Sequence, residues 1–149
     1  MPSQSVLAAC RRISSELGIG ARHITISTVG LAPRIRQLAL EPEQFTLAVS
    51  LHEANDLARS AIMPINRRYP IPELIDACCE YVEAKQRRVT FEWALINGVN
   101  DNPEVAHELG RLLQPLRGKC HVNIIPLNPT GGFEGKPANP KVSSRSECQ

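Results

Sequence analysis

The chain has 149 residues, of which 42% are hydrophobic and 21% are charged, and its formal net charge is +2. These values are ordinary for one globular domain and exclude a chain that is disordered throughout, and no apolar run approaches the length of a membrane-spanning helix. So small a net charge does not indicate a nucleic-acid binder, although arginines occur in close pairs at Arg11/Arg12, Arg34/Arg36, Arg67/Arg68 and Arg87/Arg88.

The first half of the chain alternates helical and strand patterns. The spacing predicts a helix over residues 5–17, a strand over residues 23–28 and a helix over residues 33–40. A second strand is predicted over residues 45–52, and Asn55 or Asp56 can cap a helix that continues to Ile62. The predicted apolar stripe of the first helix is Val6, Cys10, Ile13 and Leu17, and that of the second includes Ile35 and Leu38.

The second half continues the alternation. Residues 63–70 are predicted to form an ordered loop between two prolines. A helix is predicted over residues 72–85, with Ile75, Cys78 and Val82 buried. A strand over residues 89–96 leads through an asparagine-rich turn to a helix that is capped by Asn102, and the last strand covers residues 120–126. Residues 1–128 therefore form the predicted domain. Residues 129–149 lack any period and are predicted to be an irregular or disordered tail.

The predicted strands separate polar from apolar side chains. The strand over residues 45–52 directs Leu47, Val49 and Leu51 to one face and Thr46, Ala48, Ser50 and His52 to the other. Alternating strands and helices predict an α/β fold with parallel strands whose apolar face is covered by helices. The polar face, to which Ser27, Glu92 and Asn123 also belong, is then a solvated surface or the lumen of a barrel. A lumen with these side chains would be a site and not a core.

The cysteines give little sign of a metal site. The chain has five, Cys10, Cys78, Cys79, Cys120 and Cys148, without a C-x-x-C motif, and the amino terminus has no secretory signal pattern. We therefore expect a reducing compartment, the cytoplasm or an organelle of bacterial origin. Cys10 and Cys78 fall on predicted apolar helix faces, where cysteine usually acts as a small buried hydrophobe. These spacings do not present local pairs of metal ligands.

Several consecutive motifs carry a family resemblance over about positions 5 to 129. They are GIGARHITISTVG (18–30), LAVSLHEAND (47–56), MPINRRYP (63–70), RRVTFEWALINGVND (87–101) and HVNIIPLNP (121–129). In this order and with these loop lengths, the chain resembles the radical S-adenosylmethionine methyltransferases that modify carbon 2 of adenine in large-subunit ribosomal RNA and in some transfer RNAs. The resemblance implies a partial, TIM-like (β/α) barrel with about four parallel strands, incomplete, and S-adenosylmethionine and a [4Fe-4S] cluster as cofactors.

Two departures from the family pattern limit what this chain is expected to do. The family's cluster-binding CxxxCxxC loop and its GMGEP motif would lie before position 1, and the final residues 145–149 do not match the family's ACGQL segment with its methyl-carrying cysteine. We therefore expect a middle-to-late portion of the barrel that is inactive alone. Two other interpretations stay open: a non-catalytic remnant that binds nucleotide or nothing, and a basic RNA-contacting module that uses the arginine pairs.

The resemblance also assigns candidate cofactor contacts. Matching the family's motifs residue by residue places them at Ser27, Ser50, Leu51, His52 and Asn128. The hydroxyls, amide and backbone groups of such residues suit the ribose, adenine and methionine ends of S-adenosylmethionine. The alternative for each is structural, because a serine at a strand end often bonds neighbouring backbone and a lone histidine is usually a core or turn residue.

Two further expectations concern charge and assembly. Glu92 lies in the middle of a strand, where a carboxylate needs a partner, and we expect it to pair with an arginine or histidine of the barrel. Four parallel strands cannot close a barrel, so the first and last strands should leave backbone groups unpaired. The isolated chain is therefore expected to be marginally stable and to associate with itself through these edges. No association with a membrane is expected.

Overall fold

The computed structural model describes residues 4–128 and residue 136, and it forms alternating helices and strands. In chain order the elements are α1 (Gln4–Leu17), β1 (Thr25–Thr28), α2 (Ala32–Leu40), β2 (Thr46–Ser50), α3 (Asp56–Ile62), α4 (Ile71–Lys85), β3 (Val89–Leu95), α5 (Pro103–Leu112) and β4 (Cys120–Pro126). Short 3-10 turns occupy Ala21–His23, Pro64–Arg67 and Gln114–Leu116. The predicted tail, residues 129–149, lies outside the described residues apart from Lys136.

The four strands form one parallel sheet in the order β1-β2-β3-β4. Each strand neighbours the next strand in the chain, and a helix connects each consecutive pair, as expected for part of a (β/α) barrel. The predicted α/β class with four parallel strands is confirmed. The strands at the two margins of this sheet are β1 and β4, so among the described residues each pairs along one side only.

The core lies between the sheet and its helices. β3 shows the simplest pattern, since Val89, Phe91, Trp93 and Leu95 are buried and the residues between them are half-buried. Ile35 and Leu38 of α2 and Cys78 of α4 complete this layer from the helical side, each at most 2% exposed. The alternation arises because successive strand residues point to opposite faces. The inward residues predicted for α2 and α4 are therefore confirmed.

Two helices begin where side-chain caps were predicted. The Asn55 side chain accepts a hydrogen bond of 2.9 Å from the Ala58 amide at the start of α3, and Asn102 accepts one of 2.9 Å from Val105 at the start of α5. These bonds satisfy amides that the first helical turn leaves without an internal partner. The caps fix where each chain segment turns away from the sheet.

Two local predictions were wrong. Residues 21–23 form a 3-10 turn, so β1 begins at Thr25 and His23 lies outside the strand. In α1 the buried residues are Leu7 and Cys10, whereas Val6, Ile13 and Leu17 are exposed. α1 precedes the edge strand and has apolar residues on more than one side, so periodicity alone did not select the buried side.

Ala48 belongs to the face that was predicted to be a solvated surface or the lumen of a barrel. It is only 3% exposed. Its register partners Ser27 and Thr90 flank it on the same face of the sheet, and both have longer side chains than its methyl group. A small residue in a central strand is covered by such neighbours. Every helix among the described residues is too short or too polar to span a membrane.

Candidate cofactor-binding site

Ser27 and Ser50 lie on the same face of the sheet near the carboxyl ends of two neighbouring strands. Ser27 pairs in register with Ala48, and Ala48 and Ser50 are two residues apart on β2. Because side chains alternate along a strand, Ser50 shares the face of Ala48 and therefore of Ser27. Ser27 is exposed and Ser50 is half-buried. The face predicted to be polar thus presents two hydroxyl groups where parallel-sheet proteins commonly bind ligands.

His52 follows β2 in a left-handed backbone conformation, with φ of 62°. Its amide donates to the Glu92 carbonyl over 3.3 Å, and its ring Nδ1 accepts a 2.9 Å hydrogen bond from the Ala94 amide. Left-handed conformations outside glycine are uncommon and persist where the surroundings hold them. Here two strands hold the backbone and the ring. The bond at Nδ1 requires the neutral ring to carry its proton on Nε2.

The electrostatic surroundings of His52 favour that neutral form. Burial lowers the pKa of its imidazole, the nearby Arg59 lowers it further, and Glu92 opposes the shift. A neutral imidazole with its proton on Nε2 is a hydrogen-bond donor that adds no charge. Such a donor suits the adenine or ribose oxygen and nitrogen acceptors of a nucleoside.

Leu51 and Asn128 occupy different surroundings from the two serines. The Leu51 side chain is fully buried, so only its backbone can meet a ligand, and its carbonyl already accepts a 3.1 Å bond from Arg59 Nε. Asn128 is exposed and follows the end of β4. β4 lies two strands from β2 in the sheet. The structure therefore brings Ser27, Ser50 and His52 to neighbouring strand ends, and Asn128 lies farther along the same edge.

A buried arginine organises these strand ends, and the sequence patterns did not reveal it. Arg59 of α3 is fully buried, and its Nη2 donates 2.9 Å bonds to the carbonyls of Val29 and Ser50. Its Nη1 donates to the Asn66 side-chain oxygen over 2.7 Å. Burial lowers the pKa of Arg59, and Asp56 opposes that shift. One guanidinium thus connects the ends of β1 and β2 to the loop over residues 63–70.

The loop itself is held by a network around Asn66. The Asn66 amide donates to the Asp56 carboxylate over 2.8 Å and to the Ser60 hydroxyl over 2.9 Å. Asp56 also accepts a 2.8 Å bond from the Ile71 amide at the start of α4. The buried side chains of Asn66 and Arg59 therefore have hydrogen-bond partners in this network, and a satisfied buried network is rigid. The ordered loop that the sequence predicted owes its order to these bonds.

Asn100 is the second residue that sequence reasoning did not assign. It is 3% exposed, accepts a 2.7 Å bond from the Ile96 amide, and donates to the carbonyls of His52 and Ala94 over 2.8 and 2.9 Å. It therefore joins the turn after β3 to His52. The only signal in the sequence was its place in an asparagine-rich turn.

The prediction that Glu92 pairs with an arginine or histidine was wrong. Its carboxylate accepts a 2.8 Å bond from the Asn123 amide of β4, and no arginine or histidine pairs with it among the described residues. Glu92 and Asn123 occupy paired positions in the register of β3 and β4. An exposed polar face lets the carboxylate keep water as a second partner, so no counter-ion is required.

The donors near His52 fit S-adenosylmethionine, and the cysteines do not fit the family's cluster. Hydroxyls from Ser27 and Ser50 and the imidazole N–H match hydroxyl and ring-nitrogen acceptors of a nucleoside. By contrast, Cys78 is fully buried in the core and burial raises the pKa of its thiol. Among the described residues no group of three cysteine, histidine or acidic side chains could hold a metal. No catalytic step through a cluster follows from these residues.

Comparison with known proteins identifies relatives of this chain. The dual-specificity RNA methyltransferase RlmN 1 of Myxococcus xanthus is 53% identical over 125 residues, which are 84% of this chain and 34% of the relative. A probable dual-specificity RNA methyltransferase RlmN of Pelotomaculum thermopropionicum is 57% identical over 115 residues, which are 76% of this chain and 30% of the relative. The chain thus spans about a third of the length of the curated relatives it matches.

A solved structure is similar in both sequence and shape. The crystal structure of a radical SAM methyltransferase from Sphaerobacter thermophilus superposes with a TM-score of 0.90 at 50% identity, over 95% of this chain and 42% of that chain. No family model matches the sequence. The order of strands, the motifs and this superposition agree on the same architecture. The chain therefore belongs to the radical SAM RNA methyltransferase family and corresponds to part of its barrel.

Proposed function

We propose that this chain supplies part of the S-adenosylmethionine-binding barrel of an enzyme that methylates carbon 2 of adenine in ribosomal RNA and in transfer RNA. The single observation that supports the cofactor assignment is the pair of serines beside His52. Ser27 and Ser50 present hydroxyls on one face, and the left-handed His52, two residues after Ser50, adds a neutral N–H donor at the end of β2. Ser27, Ser50, Leu51, His52 and Asn128 are the proposed contacts, with Leu51 acting through its backbone.

In the proposed mechanism these residues bind and orient, and they move no proton. Bound S-adenosylmethionine would supply the methyl group and the radical chemistry. Ser27 and Ser50 would fix its hydroxyl groups, while Arg59 keeps the strand ends that carry them in place. Asn100 would hold His52 through the His52 carbonyl. These residues thus provide a rigid part of the proposed cofactor-binding site.

Cofactor binding can be measured on the chain itself by isothermal titration calorimetry with S-adenosylmethionine. We expect Ser50→Ala to weaken binding by about fivefold, since one hydrogen bond contributes about 1 kcal/mol. Ser15→Ala is the matched control, because Ser15 is exposed on α1 and bonds only the Arg12 carbonyl in the described residues. Equal affinity for the Ser50→Ala variant and the unmodified chain would contradict the assignment.

We further propose that the 149-residue chain does not methylate RNA alone. Among the described residues the cysteines lie on three elements, with Cys10 on α1, Cys78 and Cys79 on α4 and Cys120 on β4, and Cys148 lies outside those residues. Anaerobic reconstitution with iron and sulfide should give no stable cluster, because three thiolates are not brought together in the described part of the chain. Stoichiometric iron together with cleavage of the cofactor would contradict this proposal.

We also propose where the protein is located in the cell and how isolated chains associate. The bacterial relatives are named as RNA methyltransferases, and the free cysteines fit a reducing compartment, so we propose a cytoplasmic location. We also propose that isolated chains associate through the open sides of β1 and β4, whose backbone groups lack a strand partner among the described residues.

A further inference from the structure

A row of basic side chains crosses the amino end of the sheet, the end opposite to Ser50 and His52. Arg22 precedes β1, Arg87 and Arg88 immediately precede β3, and Arg117 and Lys119 precede β4. All are exposed except Arg87, which is half-buried. The strands are parallel, so their amino ends share one edge. We call these five residues the amino-end cations.

Backbone and side-chain contacts bring the segments that carry the amino-end cations side by side. The Arg87 guanidinium donates to the Arg22 carbonyl over 3.3 Å and to the Thr46 hydroxyl over 2.9 Å, which joins the starts of β1, β2 and β3. The Val89 amide, directly after Arg88, donates to the Lys119 carbonyl over 3.2 Å. With neighbouring strands about 4.8 Å apart, the row extends over roughly 14 Å.

The row has no carboxylate partner among the described residues. The ion pairs there join Arg11 to Glu41 and Glu43, Arg12 to Glu16, and Arg36 to Glu73 and Glu80. Glu41 and Glu43 precede β2 at this same end, but Arg11 already holds both. Glu83 is exposed in the last turn of α4 and is the remaining nearby acid. The amino end therefore keeps a positive excess, although the whole chain has a net charge of only +2.

We propose that the amino-end cations are a docking surface for the phosphate backbone of RNA, separate from the cofactor face. Four of the five are arginines, whose forked guanidinium binds phosphate oxygens in pairs. A row of about this length covers about four successive phosphates of one strand, because a duplex carries one phosphate for roughly 3.4 Å of helix axis on each strand. The proposal rests on the proposed RNA substrate. The amino end of the sheet would then bind the part of the RNA that lies away from the reacting adenine.

Fluorescence anisotropy with a labelled RNA hairpin, measured on the full chain over a series of salt concentrations, tests the proposal. The double variant Arg88→Ala/Lys119→Ala should bind about tenfold more weakly near 0.1 M salt, and its log K against log salt slope should fall by about 1.5. The control Arg12→Glu changes the net charge by the same two units on the outer side of α1, and it should retain most of the affinity and the slope.

Several outcomes would overturn the proposal. Equal losses in the double variant and in Arg12→Glu would show an effect of net charge alone. An unchanged salt slope in the double variant, or binding of polyglutamate or phosphatidylserine vesicles in place of RNA, would also overturn it. S-adenosylmethionine titrations on the same proteins separate the two proposals. RNA binding that depends on Arg88 and Lys119 without any cofactor binding contradicts the cofactor assignment alone.

Discussion

Arg59 shows how one residue determines the geometry of the candidate site. Its guanidinium donates to backbone carbonyls after β1 and at the end of β2, and to the Asn66 side chain. We predict that Arg59→Met lowers the free energy of unfolding by about 3 kcal/mol, because buried acceptors would lose their donors. Denaturant melts would measure the change. Arg12→Met, which loses only an exposed pair with Glu16, should cost under about 0.5 kcal/mol, and equal losses in the two variants would refute this role.

Gly30 makes room for that guanidinium. Its φ is +102°, and a Cβ added there would lie 3.0 Å from Arg59 Nη2 and 3.1 Å from Leu74 Cδ2. We predict that Gly30→Ala destabilises the fold by about 2 kcal/mol through backbone strain and this close approach. Gly18→Ala is the control, since Gly18 has φ of +67° but an added Cβ meets no atom within 4 Å. Thermal melts should show the larger loss at Gly30, and a larger loss at Gly18 would contradict the packing argument.

The protonation of His52 gives a prediction that depends on pH. Burial lowers the pKa of the folded imidazole below its ordinary value of about 6.5. The unfolded chain then takes up the proton first as the pH falls, so His52 should reduce stability progressively below about pH 6.5. NMR titration of the ring should give a midpoint below that of the same residue in urea. A midpoint above the urea value would show that the ring is held in its charged form.

At the scale of the element, β4 combines an open side with a half-covered apolar face. Val122 and Ile124 on that face are half-buried, and Ile125 on the opposite face is 39% exposed. An unpaired edge strand of this kind promotes association, and a lysine on such a strand opposes it. We predict that Ile125→Lys shifts the chain toward monomer in size-exclusion chromatography at high concentration. The control Leu57→Lys alters an apolar residue of α3 that is 87% exposed, and an equal shift from that variant would contradict an edge-specific effect.

The sequence predicted most of the helices and strands and part of the candidate site. Strict alternation in β3 and the side-chain caps at Asn55 and Asn102 follow from local rules, and these predictions are confirmed. Arg59 and Asn100 were not identified, because their partners are carbonyls brought near by the turn of the chain. Periodicity describes which side of an element is apolar. It carries no information about which polar side chain turns inward to bind backbone.

For the whole molecule, the proposed function requires that a nucleoside cofactor binds at the carboxyl ends of β1 and β2. NMR spectra of the isotope-labelled chain during titration with S-adenosylmethionine would test this most directly. We predict that the largest shifts occur at Ser27, Ser50, Leu51 and His52, with smaller changes at Asn100 behind them. The amide of Lys119, at the opposite end of the sheet, should not move. Shifts concentrated at the amino end, or absent at millimolar cofactor, would contradict cofactor binding at the carboxyl ends of β1 and β2.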